Sequence, residues 1–144
     1  MYRALTVARY IIERCNSQNR TISNLKLQKI LYFVQAEFLV AKGYPCFSEE
    51  IEAWDFGPVV PEVYQEYKFF GGANIPVIGR SFRPILVSDD DQELIDGIVD
   101  ECAKYSASAL VEITHKQAPW KKAYRPGYSN VIPKKSIQEF FQEG

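Results

Sequence analysis

Ser23-Asn24-Leu25-Lys26-Leu27-Gln28-Lys29-Ile30-Leu31-Tyr32-Phe33-Val34-Gln35-Ala36-Glu37-Phe38-Leu39-Val40-Ala41-Lys42 reads as one helix. At about 100° per residue, Leu27, Ile30, Leu31, Val34, Phe38 and Ala41 share one narrow stripe. Tyr32 and Leu39 form a second apolar flank, Phe33 and Val40 a third. A helix apolar on most of its circumference is enclosed by other helices, so the expected fold is mostly α: a compact single-domain bundle around a central buried helix. Ser23 or Asn24 can cap its unpaired first amides, and Gly43 suits the left-handed residue that ends it.

On the N-terminal side, Ala4, Ala8, Ile11 and Cys15 recur at helical spacing, which predicts an amphipathic helix over Tyr2–Asn16. On the C-terminal side, Tyr44–Phe56 reads as an extended segment or short strand. Gly57-Pro58 then reads as a sharp break before a helix with the stripe Val59, Val63, Tyr67 and Phe70, ended by Gly71-Gly72. Ala73–Val87, with Pro76, Gly79 and Pro84, is expected to be a loop with at most a hairpin at Ile75–Ile78. Asp89, Asp90 and Asp91 follow a Ser88 cap and complement the dipole of a fourth helix. Its expected buried face is Leu94, Ile98, Cys102 and Tyr105, flanked by Ile95 and Val99. Ser106 or Ser108 starts a helix that ends at His115, Pro119 opens a turn carrying Trp120 and Tyr124, and Ser136 with Glu139 has capping-box spacing for a last helix.

The 144 residues suit one domain with a real core; 47% are hydrophobic and 24% charged, an ordinary globular composition. With 17 basic and 18 acidic residues the net charge is -1, which provides no field toward nucleic acid or an anionic membrane. No apolar run is long enough to cross a bilayer and no secretory signal opens the chain, so a cytoplasmic location is expected. Three dispersed cysteines, Cys15, Cys46 and Cys102, suit reduced, buried thiols.

One histidine, His115, excludes a histidine-rich metal site, and its place at a helix end favours a local hydrogen bond. No phosphate loop, nucleophile elbow or HExxH pair occurs. Neither metal nor cofactor is expected. Lys26, Lys29, Lys121, Lys122, Arg125, Lys134 and Lys135 could form a basic surface, although such lysines are usually just solvated. Trp54, Phe56, Tyr64, Trp120 and Tyr124 could line a groove at a protein interface; from pattern alone, filling the core is the stronger reading.

Three phrases carry a resemblance: Leu25-Lys26-Leu27-Gln28-Lys29-Ile30-Leu31-Tyr32-Phe33, Glu52-Ala53-Trp54-Asp55-Phe56-Gly57-Pro58-Val59-Val60-Pro61-Glu62-Val63-Tyr64, and Thr114-His115-Lys116-Gln117-Ala118-Pro119-Trp120. Their order and spacing resemble the Panacea domain, the antitoxin domain of SocA-type proteins, which also includes phage-associated proteins of the GepA type. The likeness runs from about Val7 to Tyr124, within a domain core of about residues 4–125 in a single domain of 1–144. The middle phrase is the most specific. Ile30, where the family often has leucine, is a mild departure.

The resemblance implies a helical domain of a bacterial or phage-infected cell that neutralises a cognate protein toxin by binding it, with no catalysis of its own. Family members are paired with unrelated toxins, among them translation inhibitors and nucleotide-synthesising enzymes. Many carry extra segments beside the domain; this chain is expected to carry almost none. A proteolytic-adaptor mode, with an ATP-dependent protease as second partner, is also associated with the family. The rival readings are that adaptor, a DNA-binding transcriptional regulator, and an enzyme pairing Cys46 or Cys102 with His115. Membrane and nucleic acid are not expected partners, and a homodimer is left open. Toxin-binding candidates are Trp54, Phe56, Tyr64, His115 and Trp120, with helix-face lysines adding charge if the toxin is acidic. Leu27, Gln28, Lys29, Tyr32, Gly57 and Pro58 form the scaffold motif, with Trp54 and Trp120 bracing the Gly57-Pro58 turn.

Overall fold

The Ser23 hydroxyl accepts the Lys26 amide at 3.2 Å and starts α2 (Asn24–Ala41), which runs to Lys42 and is turned off at Gly43, φ +77°. The computed structural model describes residues 1–77 and 86–143. α2 packs against α1 (Ala4–Ser17), α3 (Pro61–Tyr67), α4 (Asp89–Cys102), α5 (Ala107–His115) and α7 (Lys134–Glu143). α6 (Ala118–Ala123) packs on α5 and α7. Ala4, Val7, Ala8, Ile11, Ile12 and Cys15 of α1 are buried, as the periodicity predicts. Burial of these faces, about 25 cal/mol per Å2 of apolar surface, holds the bundle together.

Three strands form a small antiparallel sheet in the order β2 (Gly57–Val59), β1 (Ile51–Trp54), β3 (Val131–Ile132). The expected strand is therefore present, and Gly57-Pro58 proves to be more than a break: Ala53 pairs with Pro58 and Trp54 with Gly57 across a tight hairpin. Proline is tolerated there because β2 is an edge strand, where one missing amide costs no ladder bond. Val59 belongs to that strand, so α3 begins at Pro61, and its last turn tightens into a 3-10 turn at Lys68–Phe70.

Three other expectations are corrected. α4 buries Asp91, Ile95, Val99 and Cys102, while Leu94 and Ile98 are half-buried and Tyr105 is 40% exposed. The rotation follows from its acids: Tyr2 and Lys42 hydrogen-bond Asp91, Tyr10 bonds Asp96 at 2.7 Å, and Arg14 and Arg20 hold Asp100. Asp91 is thus an internal partner as well as a first-turn acid. Burial raises its pKa, but the bonds from Lys42, Tyr2 and Ser88 outweigh this and hold it below the usual carboxylate range. α7 starts at Lys134, and the Ser136 hydroxyl donates to the Pro133 carbonyl instead of capping. Ala41 is exposed because α2 outruns the core. Ile75 is buried and donates to Ile22 O at 2.8 Å without forming a strand; Ile78, Gly79 and Pro84 lie outside the described residues.

Candidate partner-binding surface

The second flank of α2 carries amides that work as internal clamps. Gln35 accepts the Cys46 and Phe47 amides at 2.8 and 3.2 Å and donates to Phe47 O at 2.9 Å. Gln28 accepts the Val60 amide at 2.9 Å and donates to Asn24, which donates to Tyr64 O at 3.0 Å. Buried backbone groups need such partners, and these fix the chain leading into β1 and the start of α3 against the central helix. Sequence reading placed Gln28 in the scaffold motif and missed Gln35.

Lys29 is fully buried and its ammonium donates to Pro58 O at 2.9 Å, with the Phe56 ring 5.8 Å away. Among the described residues no carboxylate pairs with it. Burial pushes its pKa down to about 7, because an unpaired charge is costly away from water. Lys29 is therefore not part of a basic surface, a correction to the lysine set above. Gly57 sits on it with φ +105°: a Cβ there would lie 2.5 Å from Lys29 Cε and 2.9 Å from Thr114 Oγ1. The other basic residues divide, Lys26 lying beside Arg20 and Val99, Lys122 and Arg125 beside Pro133 and Ser136.

Around the hairpin the five predicted binding residues come together, each half-buried. Trp54, Phe56 and Tyr64 form one ring cluster, with Trp54 5.0 Å from Tyr64 and 5.9 Å from Phe56. His115, Trp120 and Tyr124 form a second, with centroid spacings of 4.2 and 4.4 Å. The clusters are joined through backbone: Trp120 Nε1 donates to Trp54 O at 2.8 Å, and His115 Nε2 lies 2.8 Å from Asp55 O. Tyr124 donates to the Asp55 carboxylate, a turn acid that sequence reading passed over. Tyr32, fully buried, donates to Gln117 at 2.8 Å and ties α2 to the start of α6.

The bond of His115 is thus not the local one expected of it: its partner, Asp55, lies on the hairpin, 60 positions earlier in the chain. Trp120 braces the turn through its indole, whereas Trp54 offers its backbone carbonyl and turns its own indole N–H to Glu52 at 3.0 Å. All three cysteines are buried and unbridged. Burial pushes the Cys46 and Cys102 thiols up to about 12 and 11, away from the thiolate form that nucleophilic chemistry needs. Among the described residues no group of side chains is arranged to hold a metal, and no helix is long and apolar enough to cross a membrane.

Residues 27–121, from the scaffold motif of α2 through the hairpin to α6, match the family described as antitoxin SocA-like, Panacea domain. Antitoxin SocA of Caulobacter vibrioides (strain NA1000 / CB15N) is 35% identical over 131 residues, covering 81% of this chain and 68% of that protein. No solved structure matches. The match spans α2, the hairpin and both aromatic clusters up to Lys121, and on these grounds the chain belongs to the SocA-like antitoxin family of Panacea-domain proteins.

Proposed function

We propose that the chain is an antitoxin that neutralises a cognate toxin by direct, stoichiometric binding, with no catalysis of its own. Family membership supports the antitoxin role. The observation that carries the binding mode is the half-exposed aromatic surface, whose rings are held in place from within. Trp120 and Tyr124 spend their polar tips on the hairpin, so the rings lose little freedom when a partner covers them. Preorganised tryptophan and tyrosine side chains are the usual centres of binding energy. Tyr64 adds a phenol with no hydrogen-bond partner among the described residues.

The test expresses the small reading frame adjacent to this one at its source locus, with and without this chain, and asks for growth rescue and a co-purifying complex. Rescue together with a stable complex is the expected result. Tyr64→Ala and Phe56→Ala are expected to weaken capture about thirtyfold, the scale of an interface hot spot, with the thermal midpoint nearly unchanged. Trp120→Ala removes a half-buried brace and lowers both. Rescue without a complex would overturn the binding mode in favour of degradation by an ATP-dependent protease or of repression.

A further inference from the structure

The third flank of α2 is covered at Lys29 and open farther along. Ala36, Glu37 and Val40 floor a hollow of about 120 Å3 walled by Ile98 of α4 and Phe141 of α7. Phe33 and Ile98 also border a second hollow of about 190 Å3, which continues past Tyr105 to Leu110 and Ile113 of α5. The two share residues and form one apolar trough. Among the described residues nothing lies over it, and Val40 and Tyr105 at its edges are 39% and 40% exposed.

Two features indicate what fits it. The first is charge: the charged residues lining the trough are Glu37 and Glu101, both carboxylates. Glu37 has no ion-pair partner among the described residues, and Glu101 meets only Lys104 in an exposed pair at 3.0 Å. The wall behind them, α4, carries seven carboxylates and no basic residue. Asp91, Asp96 and Asp100 are occupied by Lys42, Arg14 and Arg20, which leaves Asp89, Asp90, Glu93 and Glu101 facing solvent. The second is Gly97, next to Ile98 and one turn before Glu101. A Cβ added there meets nothing within 4 Å, so internal packing gives no reason for a glycine in mid-helix, where alanine is more stable. Gly97 is exposed and outside the lining itself, on the rim beside Ile98 and Glu101, where bare backbone admits the close approach of another chain.

We propose that the trough receives an amphipathic helix of the toxin, its apolar stripe seated over Phe33 and Val40 and its flanking lysines or arginines against Glu37 and Glu101. The proposal rests on the toxin-binding reading above and adds a second contact to it. α5 serves both contacts from opposite sides: Leu110 and Ile113 line the trough, and His115, two residues after Ile113 and so turned away from it, stands in the aromatic surface.

The test measures binding of the co-expressed toxin to the unmodified chain, to Gly97→Trp, and to the double variant Glu37→Lys/Glu101→Lys, each checked for an unchanged thermal midpoint. Both substituted forms are expected to bind at least tenfold more weakly. A synthetic leucine-striped helical peptide with lysine flanks should compete with the toxin, more weakly as salt rises, while its glutamate-flanked counterpart should not. If the trough variants bind as the unmodified chain does while Tyr64→Ala fails, the trough proposal is overturned and the antitoxin reading stands. If the unmodified chain captures no toxin, the antitoxin reading falls and the toxin helix with it. A dimer of the free chain that Gly97→Trp dissolves would make the occupant a second copy and overturn the toxin assignment.

Discussion

Lys29 and Val40 lie on the same flank of the same helix, and their environments are the reverse of their chemistry. The lysine is 0% exposed and the valine 39%. What separates them is what the rest of the chain brings overhead: at Lys29 the β1–β2 hairpin closes down through Gly57 and Pro58, whereas at Val40 α4 and α7 stand apart and leave the trough. Burial is thus decided by tertiary cover, and each half of the flank has a cost that internal packing only partly offsets. A buried unpaired amine is expensive to hold, and an open apolar strip is a place for a partner.

The strongest way to break the covered half is Gly57→Ala. A side chain there must adopt φ +105° and displace Lys29 Cε from 2.5 Å, and the enclosed lysine has no solvent to swing into. Backbone strain and overpacking together are expected to cost about 4 kcal/mol, read as a fall in the urea midpoint. Gly71→Ala is the control: φ is +56° and ψ −129°, outside the left-handed helical region, with nothing within 4 Å of the new Cβ, so only backbone strain of about 2 kcal/mol remains. Equal losses at the two glycines would show that the close approach to Lys29 contributes nothing.

The second prediction concerns the proton on Lys29. The unfolded side chain holds it up to about 10.5, the folded one only to about 7. Between those values the unfolded state binds more protons, so stability rises with pH. The Cys46 and Cys102 thiols, raised by burial from 9.0 to about 12 and 11, act oppositely once the unfolded chain begins to lose those protons near pH 9. The clear window for Lys29 therefore runs from about pH 7 to pH 8.5, across which unfolding free energy should increase by about 1.5 kcal/mol. Lys29→Met should flatten that rise in denaturant titrations at several pH values. A rise that survives the substitution would assign the proton elsewhere.

The same contrast explains what was legible beforehand. α2 could be read because its apolar residues occupy three flanks and Ser23 and Gly43 mark its ends, and the ring positions because they sit in unusual phrases. β2 was hidden by Gly57-Pro58, a pair depleted from strands on average, and β3, only Val131–Ile132, is too short for periodicity to register. Lys29 stands in the scaffold motif and also among the lysines of a possible basic surface, because a lysine is usually solvated, and only the first of these readings fits its burial. The available signal was its place on an otherwise apolar flank, one turn before Phe33, where a polar side chain has no solvent face to reach. Asp55 and Gln35 left no such mark, since what they bond is backbone brought near by the fold.

The open half gives the smallest effect on stability and therefore the cleanest separation. Val40→Gln exchanges a 39% exposed β-branched residue for one of better helix propensity. Val40 is only partly covered, so little apolar burial is forfeited, and the gain in propensity offsets some of that. The unfolding free energy should change by no more than about 0.5 kcal/mol, as for surface positions generally. If the strip serves only the fold, nothing else should change. If it seats a partner, the amide must be desolvated on docking without a matching acceptor, and toxin capture should fall several-fold at unchanged thermal midpoint. A substitution that costs the free chain almost nothing and the complex a measurable share of its affinity would place Val40 at the interface; a large loss of stability would instead show that α4 and α7 lie closer over this turn, making the two halves of the flank alike.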